Sequence, residues 1–318
     1  MKQDIDKELL IQIAHMYYDQ DMTQQQIANK MNMSRSLVSK LLTKAKNAGI
    51  VEVIVHSEIT HPYKEIEDRI KNILGLKYVK VVEDNQNKNM VAVEAGRYLA
   101  RRLSDCKNVA LSSSRSIRDV ALEFSPTTTF PNVTFVPMAG GLDEVQWRVD
   151  TNNTCATLAE KSGSKSMLLH TPIIVDSMEA KEVLMHQFFI KNVLDRAKQA
   201  DLALVGIGSS FQWFELEEAF FHGKKDDYIP DPQIVCGDIS YNYFDKNGEL
   251  VDCKWNRQMM GLSLDEIKAI PEVICVATEV EKAESLYIAA KYKIIHSMII
   301  NLNVAKRILL YYTKNIFN

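Results

Sequence analysis

The sequence predicts an α/β protein in two parts, a small all-α N-terminal domain and a larger domain in which helices cover a parallel sheet. Three observations carry that prediction. At 318 residues the chain is long enough for two domains, each of about 150 residues. The first 56 residues hold three apolar patterns at helical spacing and one short β-branched run. Past residue 60, helix-like and strand-like segments alternate almost to the end, as parallel strands joined by crossover helices do.

The elements follow in order. Ile5, Leu9, Ile13, Met16 and Tyr17 make one amphipathic helix,. After Asp19-Gln20-Asp21, Thr23 is placed to cap a second helix whose inward face is Ile27, Ala28 and Met31, and Asn32-Met33 forms a short turn,. Ser34 caps a third helix with Leu37, Val38, Leu41, Leu42 and Ala45 expected inward; Gly49 ends it before the β-branched run at 51–55,. Two short helices joined by a tight turn make a helix-turn-helix, winged-like with the strand behind it. The domains are therefore 1–56, a linker at 57–62, and 63–318. In the second, strands are expected at 78–82, 108–111, 133–137, 167–169, 202–207, 273–277 and 297–300. Such sheets bind ligands beyond the strands' carboxyl ends. The stretch 238–251 departs from the alternation: two strand-like pieces flank Asp245-Lys246-Asn247-Gly248, and an Asn-Gly pair favours a hairpin turn.

Composition narrows the function. Hydrophobic residues at 46% and charged residues at 25% are ordinary for a soluble globular protein,. Thirty-eight Lys plus Arg against 41 Asp plus Glu give a net charge of −3, which excludes a polycation that coats nucleic acid by bulk charge. The charged start lacks the apolar core of a signal peptide, and stretches such as 202–207 fall far short of the roughly 20 residues that cross a bilayer. A cytoplasmic protein without a membrane partner is expected. The five cysteines, at 106, 155, 236, 253 and 275, never form Cys-x-x-Cys, and the seven histidines show no metal-ligand spacing. We expect reduced core cysteines, no metal and no cofactor.

Charge is segregated within the first domain. The third helix carries Arg35, Lys40, Lys44 and Lys46 with no acid between Ser34 and Ala48, while Asp4, Asp6 and Glu8 lie in the first helix. The outward face presents Ser34, Arg35, Ser36, Ser39, Lys40 and Lys44, residues that suit a major groove, where Arg bonds bidentately to guanine and Ser or Lys reach base edges or phosphates. Thr23 and Gln24 start the second helix, where its N–H groups meet a phosphate. A basic face taken alone is an ordinary solvated surface; the complete order of capped helix, turn and basic helix points instead to double-stranded operator DNA. One such module makes few phosphate contacts, so a homodimer or homotetramer is expected on paired half-sites.

In the second domain Ser112-Ser113-Ser114-Arg115-Ser116 follows a strand and opens a helix, so hydroxyls, backbone N–H groups and an arginine meet at a helix N-terminus. That suits an anion, and it equally suits a polar loop capping its own helix. Gly206-Ile207-Gly208-Ser209 ends the most apolar strand, where glycines permit close ligand approach or a plain tight turn. Together with the helix-turn-helix, the segments Val136-Pro137-Met138-Ala139-Gly140-Gly141, Ala203-Leu204-Val205-Gly206-Ile207-Gly208-Ser209, Gly237-Asp238-Ile239, Phe244-Asp245-Lys246-Asn247-Gly248 and Gly261-Leu262-Ser263-Leu264-Asp265-Glu266-Ile267 resemble the SorC family of bacterial transcriptional regulators, of the deoxyribonucleoside and central glycolytic genes regulator type. The resemblance covers nearly the whole chain. It implies a Rossmann-like C-terminal domain similar to ribose-phosphate isomerases and glucosamine-phosphate deaminases, which binds a sugar or sugar-phosphate effector, generally without turnover, and assembles subunits. It also implies effector-site roles for Ser112 to Ser116, Gly140, Gly141, Asn153, Gly206, Gly208, Ser209, Asp238, Arg257 and Lys282. Three departures stand out. The serine loop lacks the family's usual glycine, Thr278-Glu279 replaces a glycine pair, and Ile300-Asn301 replaces threonine-aspartate.

The competing function is a sugar-phosphate isomerase-like enzyme fused to a DNA-binding module, with Asp238 as its best base; an Asp after Gly at a hairpin start is more often a turn residue. A DNA-processing enzyme ranks behind both, because no nuclease-like acidic set is visible. No catalytic residue is expected.

Overall fold

The computed structural model describes residues 2–48, 50–51, 62–83, 89–141, 150–209, 230–231 and 233–316. It divides into two compact units, Met1–His61 and Pro62–Asn318. The strand expected at 51–55 and the linker at 57–62 lie, apart from Val51 and Pro62, outside the described residues, as does Gly49.

In the first unit α1 (Lys2–Tyr18), α2 (Gln24–Lys30) and α3 (Arg35–Asn47) follow one another. Thr23 and Gln26 form a reciprocal capping box at α2, and Ser34 Oγ accepts the Leu37 N–H at 3.2 Å to start α3, each satisfying donors that a helix start leaves open. Asn32 turns the chain between them with φ +53°, a backbone Asn tolerates better than most residues. Ile13, Met16, Ile27, Ala28, Val38 and Leu42 form the core. A second seam joins Leu10, Ala14 and Ala45, with Ile50 and Val51 packed on it. Leu37 departs from expectation: it is 42% exposed. Five apolar positions make a stripe wider than two neighbouring helices can cover, and Leu37 lies at its edge.

The second unit opens with α4 (Lys64–Leu74) and β1 (Tyr78–Val82), then α5 (Met90–Arg102), β2 (Asn108–Leu111), α6 (Arg115–Glu123), β3 (Thr134–Pro137), α7 (Thr151–Ser162), β4 (Lys165–Ser166), α8 (Met178–Met185), α9 (Phe188–Lys198) and β5 (Leu202–Val205). Beyond β5 come β6 (Gly208–Ser209), β7 (Gly237–Ile239), β8 (Asn242–Phe244), α10 (Lys254–Gln258), α11 (Leu264–Lys268), β9 (Val273–Ala277), α12 (Ala283–Lys291), β10 (Ser297–Asn301) and α13 (Leu302–Ile316). Seven strands form one parallel sheet in the order β1-β10-β9-β5-β2-β3-β4. Alternate residues feed two cores. Ala110, Val136, Ala203, Cys275 and Ile300 face one layer, and Val109, Leu111, Phe135, Leu204, Ile274 and Ile299 the other. With both faces covered, the strands read as apolar runs, and each buried Leu or Ile contributes roughly 1.5–3 kcal/mol. All five cysteines are buried and free.

At the edge, Glu67 of α4 reaches over β1: its Oε1 accepts the Val81 N–H at 2.7 Å and lies 3.6 Å from Lys80 Nζ, which satisfies an edge-strand donor. At the other edge the sequence placed a strand at 167–169, but the pairing falls earlier, Lys165 and Ser166 opposite Thr134 and Phe135. Two exposed polar residues carry it, so no apolar run announces it. The hairpin also differs. Its antiparallel pair is β7–β8, and the tight turn between them is Ser240–Tyr241, both with positive φ (+48° and +66°). Asp245–Gly248 makes a second reversal, returning Leu250 to bridge Phe244, with Gly248 at φ +72°.

Candidate functional site

Val38, Leu42 and Ala45 fix α3 by its inner side, leaving Ser34, Arg35, Ser36, Ser39, Lys40 and Lys44 exposed. Leu37, which the sequence pattern placed inward, and Thr43, which it did not assign, share that exposed side. Ser34 and Ser36 hydroxyls lie 3.0 Å apart. Arg35 lines one open groove with Thr23 and Gln24, beside Tyr17, Tyr18 and Asp21. Thr23 Oγ1 is engaged in capping, with the Gln26 N–H 3.3 Å away. Lys46 instead turns over the Tyr18 ring at 5.9 Å. An acid-free helix face beside a helix start is a surface that matches the polyanionic backbone and base edges of a duplex.

The second cluster sits where the sheet changes direction. From β2 the chain moves outward to β3 and β4, then returns to β5 on the other side of β2 and continues to β9 and β10. Such a switch opens a crevice at the carboxyl ends. Ser112 ties the two ends together: its N–H donates to the Leu204 carbonyl at 3.1 Å and its Oγ accepts the Gly206 N–H at 3.0 Å. Ser114 caps α6 by accepting the Ile117 N–H at 3.1 Å. A Cβ on Gly206 would collide with Ser114, and one on Gly208 with the Asp238 carboxylate; both glycines are there for close approach.

Asp238 Oδ2 accepts the Tyr241 N–H at 3.1 Å. Burial pushes its carboxyl up to about 6, against the opposing pull of the Tyr241 and Gly208 amides and Lys282. The Tyr241 phenol hydrogen-bonds Ser113, and burial raises its pKa. Lys282, at the end of a single 3₁₀ turn after β9, is 8% exposed at its side chain and holds Glu279 Oε2 at 3.0 Å. That oxygen also accepts Thr278 Oγ1–H at 3.0 Å and the Thr278 N–H at 3.3 Å. Burial acts to raise the Glu279 pKa, but Lys282 and Thr278 outweigh it and hold the carboxyl below its ordinary value. Asn301 braces the same strand end, donating from Nδ2 to the Thr278 carbonyl at 2.6 Å. A cavity of about 150 Å³ lies here, lined by Asn89, Arg115, Ser116, Arg118, Asp119, Thr278 and Glu279 among others. Arg118 is already bridged to Asp119 at 2.6 Å.

Residues 58–310 match the sequence family described as "Putative sugar-binding domain", and residues 12–47, spanning α2 and α3, match "Sigma-70, region 4". The sorbitol operon regulator of Klebsiella pneumoniae is 26% identical over 318 residues, covering 97% of this chain and 100% of that protein. The deoxyribonucleoside regulator of Bacillus subtilis is 25% identical over 310 residues, covering 94% and 96%. The crystal structure of full-length sorbitol operon regulator SorC from Klebsiella pneumoniae superposes with a TM-score of 0.77 at 25% identity, over 96% of this chain and 99% of that one. This chain belongs to the SorC family of transcriptional regulators.

In this SorC-family chain the sheet switch gathers Ser112 to Ser116, Gly206, Gly208, Asp238 and Lys282 at one end, together with Tyr241, Thr278 and Glu279. Ser209 pairs with Gly237 in β6, and its buried hydroxyl makes no hydrogen bond among the described residues. The remaining expected positions carry structural contacts. Gly140 N–H donates to the Met260 carbonyl at 2.8 Å and Gly141 N–H to that of Thr171 at 2.9 Å; a Cβ on Gly140 would strike the Pro172 carbonyl. The Asn153 N–H donates to Asp150 Oδ1 at 3.1 Å at the start of α7. Arg257 is exposed and ion-paired to Asp252, and its carbonyl accepts Lys181 Nζ at 2.8 Å. Tyr241 carried no sequence signal, because its place depends on a left-handed turn made without glycine. None of the described helices is long and apolar enough to cross a membrane, and no group of His, Cys, Asp and Glu among the described residues could hold a metal.

Proposed function

We propose that this SorC-family regulator acts in the cytoplasm, without enzymatic activity, on a carbohydrate-related operon. Residues 1–56 bind operator DNA through Thr23, Gln24, Ser34, Arg35, Ser36, Ser39, Lys40 and Lys44, and 57–62 join them to the effector domain at 63–318. That domain binds a sugar-class effector at the sheet switch and assembles the chain as a homodimer or homotetramer. Ligand occupancy then biases the geometry or spacing of paired helix-turn-helix modules, which couples metabolite to DNA affinity. The observation that carries the reading is α3 itself: one side is locked into the core and the other is exposed, basic and free of acid. The names of the relatives support the same reading.

Exposed Leu37 adds an apolar contact suited to a thymine methyl. Binding of the full chain to a duplex selected from a random pool, followed by fluorescence anisotropy across a salt series, tests the interface. Lys40→Ala is expected to weaken binding and to lower the salt slope by about one. Leu37→Ala should cost about 1 kcal/mol with the slope unchanged. Arg35→Ala should relax base preference at one position. All three residues are exposed, so folding should be untouched; unchanged affinity in all three variants would remove this face from the interface.

The buried, raised carboxyl of Asp238 favours a second reading, an isomerase-like base. Its Oδ2 is held by the Tyr241 amide inside a tight turn, which favours the turn role. Turnover of ribose or glucosamine phosphates by the purified chain would reverse that ranking.

A further inference from the structure

We infer that Glu279 is a resident anion: its carboxylate fills the place that a ligand phosphate would take, so the pocket admits an uncharged polyhydroxy ligand, a free sugar or sugar alcohol, and turns its phosphorylated counterpart away. The inference rests on the reading of the sheet-switch pocket as the effector site.

Three donors of different kinds converge on one oxygen. Glu279 Oε2 receives the Lys282 ammonium at 3.0 Å, the Thr278 hydroxyl at 3.0 Å and the Thr278 backbone N–H at 3.3 Å. A cation, a hydroxyl and a backbone amide at the carboxyl end of a parallel strand are what a phosphate oxygen needs. Here the chain supplies the anion itself, from the half-buried residue next to Thr278, and its partner Lys282 is buried. Thr278 cannot swing away freely, since Asn301 Nδ2 holds its carbonyl at 2.6 Å.

The surrounding charges point the same way. Arg118 is neutralised by Asp119 at 2.6 Å, and Arg115 lies exposed at the mouth, where solvent screens it. Ser114, which a helix-bound anion would displace, already caps α6. A phosphate carrying between one and two negative charges would meet the Glu279 carboxylate in the same cavity. Hydroxyl groups fit better, because each both donates and accepts, and the lining mixes acceptors (Glu279, Asp119) with donors (Arg115, Asn89, Ser116),.

The test uses the full-length chain and two kinds of probe, the neutral pair fructose and sorbitol, and the anions inorganic phosphate and fructose 6-phosphate, read by calorimetry and thermal shift. The wild type should respond to a neutral probe and to neither anion. Glu279→Gln keeps the shape and removes the charge, and it should bind inorganic phosphate at least ~10-fold more tightly than wild type. Glu279→Gly, which also frees the Thr278 amide, carries the same expectation should the first variant fold poorly. Wild-type preference for fructose 6-phosphate over fructose overturns the inference, and so does a folded variant that gains no affinity for phosphate. Silence of both proteins toward all four probes fails the effector-site reading itself, a result distinguishable because it leaves operator binding intact.

Discussion

Asp238 and Gly208 face each other across the β6–β7 ladder so closely that only a hydrogen fits between the carboxylate and the backbone. The proximity has a measurable signature. Burial lifts the carboxyl from 3.8 to about 6, so the folded protein holds this proton to higher pH than the unfolded chain does. Stability from this group is therefore present below pH ~4 and is lost as pH rises to ~6, by about 3 kcal/mol at most. Asp238→Asn should abolish that slope. Its denaturant midpoint should gain on wild type between pH ~4 and ~6 and run parallel above, and an unchanged difference across the range would mean that Asp238 titrates as a solvated acid. Asp238 was legible in the sequence as the residue after Gly237 at a hairpin start, and Lys282 and Glu279 were legible as a lysine and an acid near a strand end. Their pairing was not, because it depends on where a 3₁₀ turn points two side chains three residues apart.

The elements were legible wherever their cause is local. Thr23, Ser34 and Ser114 each cap the helix they precede, because a side-chain oxygen satisfying an N–H two or three residues on is a short-range event. Thr23→Ala removes the side-chain half of the α2 capping box, leaving the backbone N–H of residue 23 to donate to Gln26 Oε1, and should lower the stability of the N-terminal unit by about 1 kcal/mol. Amide hydrogen exchange at α2 and α3, compared with that of the central strands, checks it: only the helices should exchange faster. Elements whose cause lies elsewhere in the chain were misplaced. The Lys165–Ser166 strand exists because Thr134 and Phe135 offer a sheet edge, and the apolar residues just after it pointed to the wrong register. The Ser240–Tyr241 turn forms without glycine because the pairs on either side, Asp238 with Tyr243 and Ile239 with Asn242, impose it; Asn247-Gly248 drew attention to the second reversal instead. Leu37 belongs to the same class, since only the packed positions of α1 and α2 decide how wide an inward stripe can be.

For the whole molecule, the sequence predicted a parallel α/β domain behind a helix-turn-helix, and the sheet is that, with seven parallel strands and a core on each face. Strand order lay beyond sequence reasoning, yet it is what sets the Ser112 loop beside Gly206. Phe188 and Phe189 stand 74% and 81% exposed at the first turn of α9, ring centroids 5.5 Å apart, and Val183 and Met178 of the preceding α8 are exposed as well. The proposed binding to paired half-sites calls for a second copy of the chain, and an exposed apolar face of this kind is what a second copy would cover. Phe188→Glu with Phe189→Glu should lower the mass measured by light scattering while leaving the circular dichroism unchanged; an unaltered mass would take these rings out of the interface.

The pairing of β1 with β10 has a consequence for biosynthesis. β1, the first strand of the second unit, takes its main-chain strand partner, among the described residues, from residues 297–301, late in the sequence of that unit. A polypeptide emerging from the ribosome thus exposes its helix-turn-helix more than 200 residues before β1 can be stitched into the sheet. Premature termination before β10 would leave a DNA-contacting module without a finished foundation.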